Sequence, residues 1–297
     1  MLSRRRFLES TFVAAIAASL GAAEGKRAPR VVLRSSWQTV NIGDIAHTPG
    51  MLALLEKYFP EAVITLWPSN VDNGVKEMLA ARFPKLQFVS PKTDVAKLYA
   101  ENDFLLHGSG PSLVGEKQVA MWRQQGPKPY GVLGITQGSP TPETAKILSG
   151  AQFVYFRDSV SLATAKAAGV KCPVMEFGPD GAFAVDLADD ARAEALLRRF
   201  DLQPGKFLCC LPRYRQTPYW TITRKKAAFD PAKQALNDRL KDHDHAPHRT
   251  AIERLARGLG PHTEIERDWK DRQEADDQRD LKDPVVAHGA PLQTIEH

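Results

Sequence analysis

Cysteine is nearly missing from this chain. Cys172, Cys209 and Cys210 are the three present, an odd count that leaves at least one thiol unpaired and excludes a disulfide-stapled scaffold. Cys209 and Cys210 fall in the apolar run Phe207 to Leu211, so we expect them to serve core packing rather than redox or metal chemistry. Long apolar runs are also scarce. Beyond the first two dozen residues no stretch approaches the ~20 residues a bilayer span needs. A large charge of one sign is lacking too: 40 Lys plus Arg against 35 Asp plus Glu leaves +5 among 297 residues, and several of the basic residues lie in the first thirty positions. No Lys/Arg stripe interleaved with aromatics follows, which argues against a nucleic-acid partner. Metal ligands are not grouped convincingly either. His243-Asp-His245-Ala-Pro-His248 collects three histidines, but in a Pro- and charge-rich stretch without helical i,i+4 spacing. It reads as a solvated loop, and we expect neither a metal nor a cofactor.

What is present begins with a targeting pattern. Ser3-Arg-Arg-Arg-Phe-Leu8 leads into an apolar stretch from Thr11 to Leu20 and small residues at Gly21-Ala-Ala23. A basic start, a short apolar middle and a small-residue exit describe an export signal. The paired arginines before Phe7-Leu8 resemble the twin-arginine type. We therefore expect residues 1–24 to be a signal and the protein to be exported to the periplasm or cell envelope, touching membrane through that segment alone. If the signal is not used, the protein stays cytoplasmic.

From Arg30 the pattern turns regular. Short β-branched or apolar runs at Arg30–Leu33, Ala62–Trp67, Leu86–Val89, Phe104–Leu106, Tyr130–Ile135, Phe153–Phe156 and Val174–Phe177 alternate with helical patterns. The helices are expected at Met51–Leu55 and its surroundings, Val71–Phe83, Asp94–Ala100, Glu116–Gln125, Pro142–Leu148 and from Asp158 through Ala168. Such alternation predicts an α/β fold, a doubly wound, Rossmann-like parallel sheet over residues 30–187. Asp189 to Phe200 reads as a bridging helix, and Lys206 to Leu211 as the first strand of a second α/β domain. That domain does not continue, so residues 188–259 look like a remnant, with one amphipathic helix at Thr250–Leu259. From about Gly260 the chain is almost entirely charged or amide, with too little apolar surface to offset chain entropy. We expect residues 260–297 to be a disordered tail or an isolated helix, as in a truncated or frame-shifted gene product.

Four loops follow predicted strands and so should face one crevice at the carboxyl edge of the sheet. They are Asn41-Ile-Gly-Asp44, His107-Gly-Ser-Gly-Pro-Ser112, Gly134-Ile-Thr-Gln-Gly138 and Phe156-Arg-Asp-Ser159. The strand–glycine turn–helix order at 104–116 should leave bare backbone N–H groups there, where anions bind. Asp44 can accept from a sugar hydroxyl, and Arg157 can hold a carboxylate or phosphate. Asn41 and Asp158 equally suit helix N-caps. His107, at the strand end, is a candidate acid or a packed histidine.

Asn41-Ile-Gly-Asp44, Asp103-Phe-Leu-Leu-His-Gly-Ser-Gly-Pro-Ser112, Phe156-Arg-Asp-Ser159 and Gly178-Pro-Asp180 resemble, in identity and order, the polysaccharide pyruvyl transferase family. The resemblance runs from about Val31 to Arg215. It implies two Rossmann-like domains in a glycosyltransferase-B-like arrangement. It also implies transfer of the enolpyruvyl group of phosphoenolpyruvate onto saccharide hydroxyls, giving a pyruvate ketal and phosphate. By resemblance Arg157 grips the donor, Arg213 is its partner across the cleft, and the loops carrying Asn41, Gly43, Asp44, His107, Gly108, Ser109, Gly110 and Asp158 line the substrate pocket. The family's late histidine motif has no counterpart here, which leaves no assigned catalytic acid and makes this chain a candidate inactive member. A nucleotide-sugar glycosyltransferase is the rival enzyme, but needs an acidic ribose-binding residue and a pyrophosphate-facing helix start that the second domain does not offer. A non-catalytic envelope carbohydrate-binding protein is the other alternative.

Overall fold

The computed structural model describes residues 27–90, 92–207, 209–210, 214–222 and 228–256. They fall into two compact units that divide between Asp189 and Asp190. The first unit holds seven strands, β1 (Arg30–Ser35), β2 (Val63–Pro68), β3 (Gln87–Phe88), β4 (Phe104–His107), β5 (Tyr130–Ile135), β6 (Phe153–Phe156) and β7 (Val174–Phe177). All pair in parallel, in the order β3-β2-β1-β4-β5-β6-β7. The chain winds one way from β1 to β3, then returns and winds the other way from β4 to β7. The switch point therefore lies between β1 and β4, where open α/β sheets bind ligands.

Six helices connect the strands: α1 (Ile42–Tyr58), α2 (Val75–Arg82), α3 (Val95–Glu101), α4 (Glu116–Gln125), α5 (Pro142–Ser149) and α6 (Ser159–Ala167). The period-two alternation of the strands sorts the core into two layers. Val31, Leu33, Phe104, Leu106, Phe153 and Tyr155 point to one face, where Met51, Leu52 and Leu55 of α1 and Val75 and Leu79 of α2 cover them. Val32, Leu105, Val132, Val154 and Phe156 point to the other, under α3 to α6 through Val95, Leu98, Val119, Trp122, Ile147, Leu148 and Ala165. This is the doubly wound α/β fold expected from the sequence.

Three local expectations are corrected. α2 starts at Val75 rather than Val71, because Asn73 (φ 57°) and Gly74 (φ 82°) sit in the left-handed region and break the helical run. β3 shrinks to two residues at the sheet edge. Lys206 to Leu211 is not a strand at its described positions: Phe207 and Cys209 are exposed and Cys210 half-buried, so neither cysteine packs a core. A strand needs a neighbour to bond with, and the described residues of this unit offer none.

The second unit contains α7 (Asp190–Arg199), the short α8 (Tyr219–Ile222) and the long α9 (Pro231–Ala256). The His243–His248 stretch, expected as a loop, lies inside α9, which absorbs Pro247. Strong helix formers on either side outweigh the one hydrogen bond proline removes. Among the described residues no group of histidine, cysteine and carboxylate side chains could hold a metal ion. Every buried apolar side chain of the described chain belongs to the first unit, and in the second Asn237 alone is buried. None of the described helices is long and apolar enough to cross a membrane. The expected export signal and the whole of the expected polar tail lie outside the described residues.

Candidate active site at the carboxyl edge

The crevice is built by the loops leaving β1, β4, β5, β6 and β7. Leaving β4, pairing does not stop at His107. Gly110 bridges to Ile135 of β5, its N–H donating to the Gly134 carbonyl (3.3 Å), while the Gly108 N–H donates to the Arg34 carbonyl (2.9 Å). Both glycine N–H groups are therefore spent on the ladder, and the bare donors expected at 108 and 110 are not bare. The cause is register: the ladder runs on for three residues past the strand before the chain turns to α4.

Ser109, between them, is a cross-brace. Its carbonyl accepts from Trp37 Nε1 (2.7 Å), and its Oγ accepts from the Gly181 N–H (2.7 Å). Gly134, at φ +67°, leaves room for that hydroxyl, since a Cβ there would lie 2.5 Å from Ser109 Oγ. His107 is fully buried behind the loop and stacked on Trp37 at 4.9 Å between centroids. Its Nε2 accepts from the Gly115 N–H (3.0 Å). Burial, reinforced by the Arg34 charge, pushes its imidazolium down to about 3. His107 is thus a neutral packing group, and not one that faces the crevice as an acid. Arg34 is also buried, between Trp37 (4.8 Å) and Trp67 (5.8 Å), and burial pulls it down to about 10.

At the β1 exit, Asn41 caps α1, its Oδ1 accepting from the Gly43 N–H (3.0 Å). Asp44 is buried and accepts from Gln38 Nε2 (2.6 Å), while Gly43 is exposed on the first turn. At the β6 exit, Asp158 caps α6, accepting from the Ser161 N–H (2.6 Å) and Oγ (2.7 Å). Desolvation raises the Asp158 carboxyl, yet these hydrogen bonds outweigh it and hold it below the usual carboxylate range.

Arg157 behaves differently. Its Nε donates to Thr136 Oγ1 (2.7 Å) and its Nη1 to Asp180 Oδ2 (2.6 Å). Nη2 makes no hydrogen bond among the described residues, and the side chain is 27% exposed. Two bonds fix the guanidinium plane, and a third nitrogen is left for an incoming anion. The other Asp180 oxygen accepts from His47 Nδ1 (2.8 Å) and from the Ala182 N–H (2.9 Å). Burial raises the Asp180 carboxyl, and the bonds from His47, Ala182 and Arg157 outweigh it, so it stays ionised below the usual range. Facing a carboxylate, His47 carries its proton on Nδ1.

The sequence brought Arg157 to this edge but gave no hint of His47. The signal available was the face of α1: Asp44, His47, Thr48, Pro49 and Gly50 are buried polar or small residues where apolar ones belong. Arg213 lies outside the described residues. The polypeptide is shaped to let these groups meet. α1 comes so near the turn after β7 that a Cβ on Gly50 would stand 1.9 Å from the Gly181 carbonyl oxygen.

No curated protein matches the chain. The family model for polysaccharide pyruvyl transferase matches residues 41–230, which takes in α1, the glycine turn, Arg157 and Asp180. The chain, on that match and on its doubly wound parallel sheet, belongs to the polysaccharide pyruvyl transferase family.

Proposed function

We propose that the carboxyl-edge crevice of the first unit is the donor half of an enolpyruvyl transfer site, using phosphoenolpyruvate and a saccharide bearing two nearby hydroxyls. One observation carries this: Arg157, at the carboxyl end of β6, is locked by Thr136 and Asp180, with no hydrogen bond on Nη2 among the described residues. In the reaction, a proton adds to the terminal enol carbon and makes it the methyl group. The positive charge develops on the adjacent carbon, where one sugar hydroxyl attacks. A second hydroxyl then takes the place of phosphate, giving the ketal and inorganic phosphate. A fixed guanidinium stabilises the donor's carboxylate or the phosphate as it leaves, with no reorganisation at the moment of reaction. His107, buried and neutral, does not supply that proton.

The second unit supports slow turnover or none, because among its described residues no apolar side chain is buried. The same observation favours a second reading, an envelope protein that binds saccharide without turning it over. The export signal read from the sequence places either activity outside the cytoplasm, away from the usual supply of phosphoenolpyruvate.

The test is phosphate release from phosphoenolpyruvate by the processed protein, over a panel of envelope saccharides. Release that requires both a saccharide and Arg157 is the expected result for a transferase. Saccharide binding without release, unchanged in Arg157→Ala, would replace it with the binding-protein reading.

A further inference from the structure

We propose that Asp180 is a positioning residue that presets Arg157 for its anion, and that His47 is what keeps Asp180 in place. The inference rests on Arg157 as the donor grip. A free arginine side chain samples many rotamers, and an anion that binds it must restrict them. Here the guanidinium is held at Nε by Thr136 and at Nη1 by Asp180 Oδ2. Asp180 in turn cannot swing. Its Oδ1 is engaged by His47 Nδ1 from α1 and by the Ala182 N–H from its own turn. The Gly181 N–H is tied to Ser109 Oγ, and α1 lies directly on the Gly181 carbonyl. The turn after β7 is therefore anchored to α1 and to the β4 loop, and it reaches Arg157 through one carboxylate. His47 is 5% exposed, so it acts through Asp180 and not on the substrate.

The sign of one substitution separates positioning from charge. Asp180→Asn removes a negative charge beside Arg157, and Coulomb attraction alone would make an anion bind more tightly. Loss of positioning makes it bind more weakly, by about tenfold or more. Two measurements read this on the full chain. The first is phosphoenolpyruvate affinity. The second is the Arg157 Nε–H resonance in ¹⁵N-arginine-labelled protein without ligand, assigned with Arg157→Lys. We expect a slowly exchanging Nε–H in the wild type, lost in Asp180→Asn together with the weaker binding. An unchanged resonance, or tighter binding in Asp180→Asn, overturns the proposal. If the wild type binds no phosphoenolpyruvate, the donor reading fails while the resonance still decides the positioning role. If Asp180→Asn does not fold, His47 supplies the pair. His47→Asn, whose amide nitrogen can replace Nδ1, should keep the protected Nε–H, and His47→Leu should lose it; equal behaviour of the two overturns the idea.

Discussion

At the scale of single residues, two positions carry sharp consequences. Gly50 has no room for a methyl group, since the added carbon would lie 1.9 Å from the Gly181 oxygen, a backbone atom that cannot turn aside. Overpacking a filled site costs about 1–3 kcal/mol, and we expect Gly50→Ala to reach about 3 kcal/mol in a urea titration. His107 sets a pH dependence. An unfolded histidine titrates near ~6.5, whereas burial holds His107 down to about 3. Between those values the unfolded chain binds a proton the folded chain refuses, so stability falls as pH drops from about 6.5 towards 3. His107→Gln, whose amide oxygen can still accept from the Gly115 N–H, should flatten that part of the stability–pH curve. A slope unchanged in the variant would mean another group is responsible. These residues also mark the limit of what the sequence discloses. Arg157 could be picked out because it follows a strand directly. Asp180 and His47 are 133 positions apart, and no local spacing records that they meet.

At the scale of elements, much of the fold was legible. β1, β2 and β4 to β7 announce themselves as short apolar runs, and α4 to α6 as helical patterns of 10, 8 and 9 residues between them. The strand expected at Lys206 to Leu211 failed because apolar content was read without its partners. Phe207 to Leu211 had the composition of a strand, but the described residues of its unit offer no strand edge to join. The helix cap at Asp158 gives a prediction of its own. One carboxylate satisfies both the N–H and the hydroxyl of Ser161 at the start of α6. Replacing a capping aspartate by alanine costs about 0.5–2 kcal/mol. Asp158→Ala should lower the unfolding free energy by that amount, read as a lower denaturation midpoint with the transition slope unchanged, and Asp158→Asn should recover most of it. A full-sized loss of activity with no loss of stability would instead make Asp158 a substrate contact.

At the scale of the molecule, stability should be divided unevenly. Residues 30–185 contain both core layers, while no described apolar side chain of residues 190–256 is buried. Amides of β1, β4, β5 and β6 should then exchange hydrogen only through global unfolding, and those of α7 and α9 far sooner, by local opening. Hydrogen exchange followed by mass spectrometry reads this directly, and equal protection in α9 and β4 would contradict it. Nothing in the local spacing signalled that the histidines of residues 243–248 would lie within one continuous helix.

The glycine turn after β4 carries one more consequence. Because Gly110 is hydrogen-bonded to Gly134 and Thr136, and Ser109 is tied to Trp37 and Gly181, the turn is held as an extension of the sheet. We expect a ligand of this edge to associate in a single encounter whose rate rises linearly with concentration, and a saturating phase in stopped-flow traces would show that the turn rearranges.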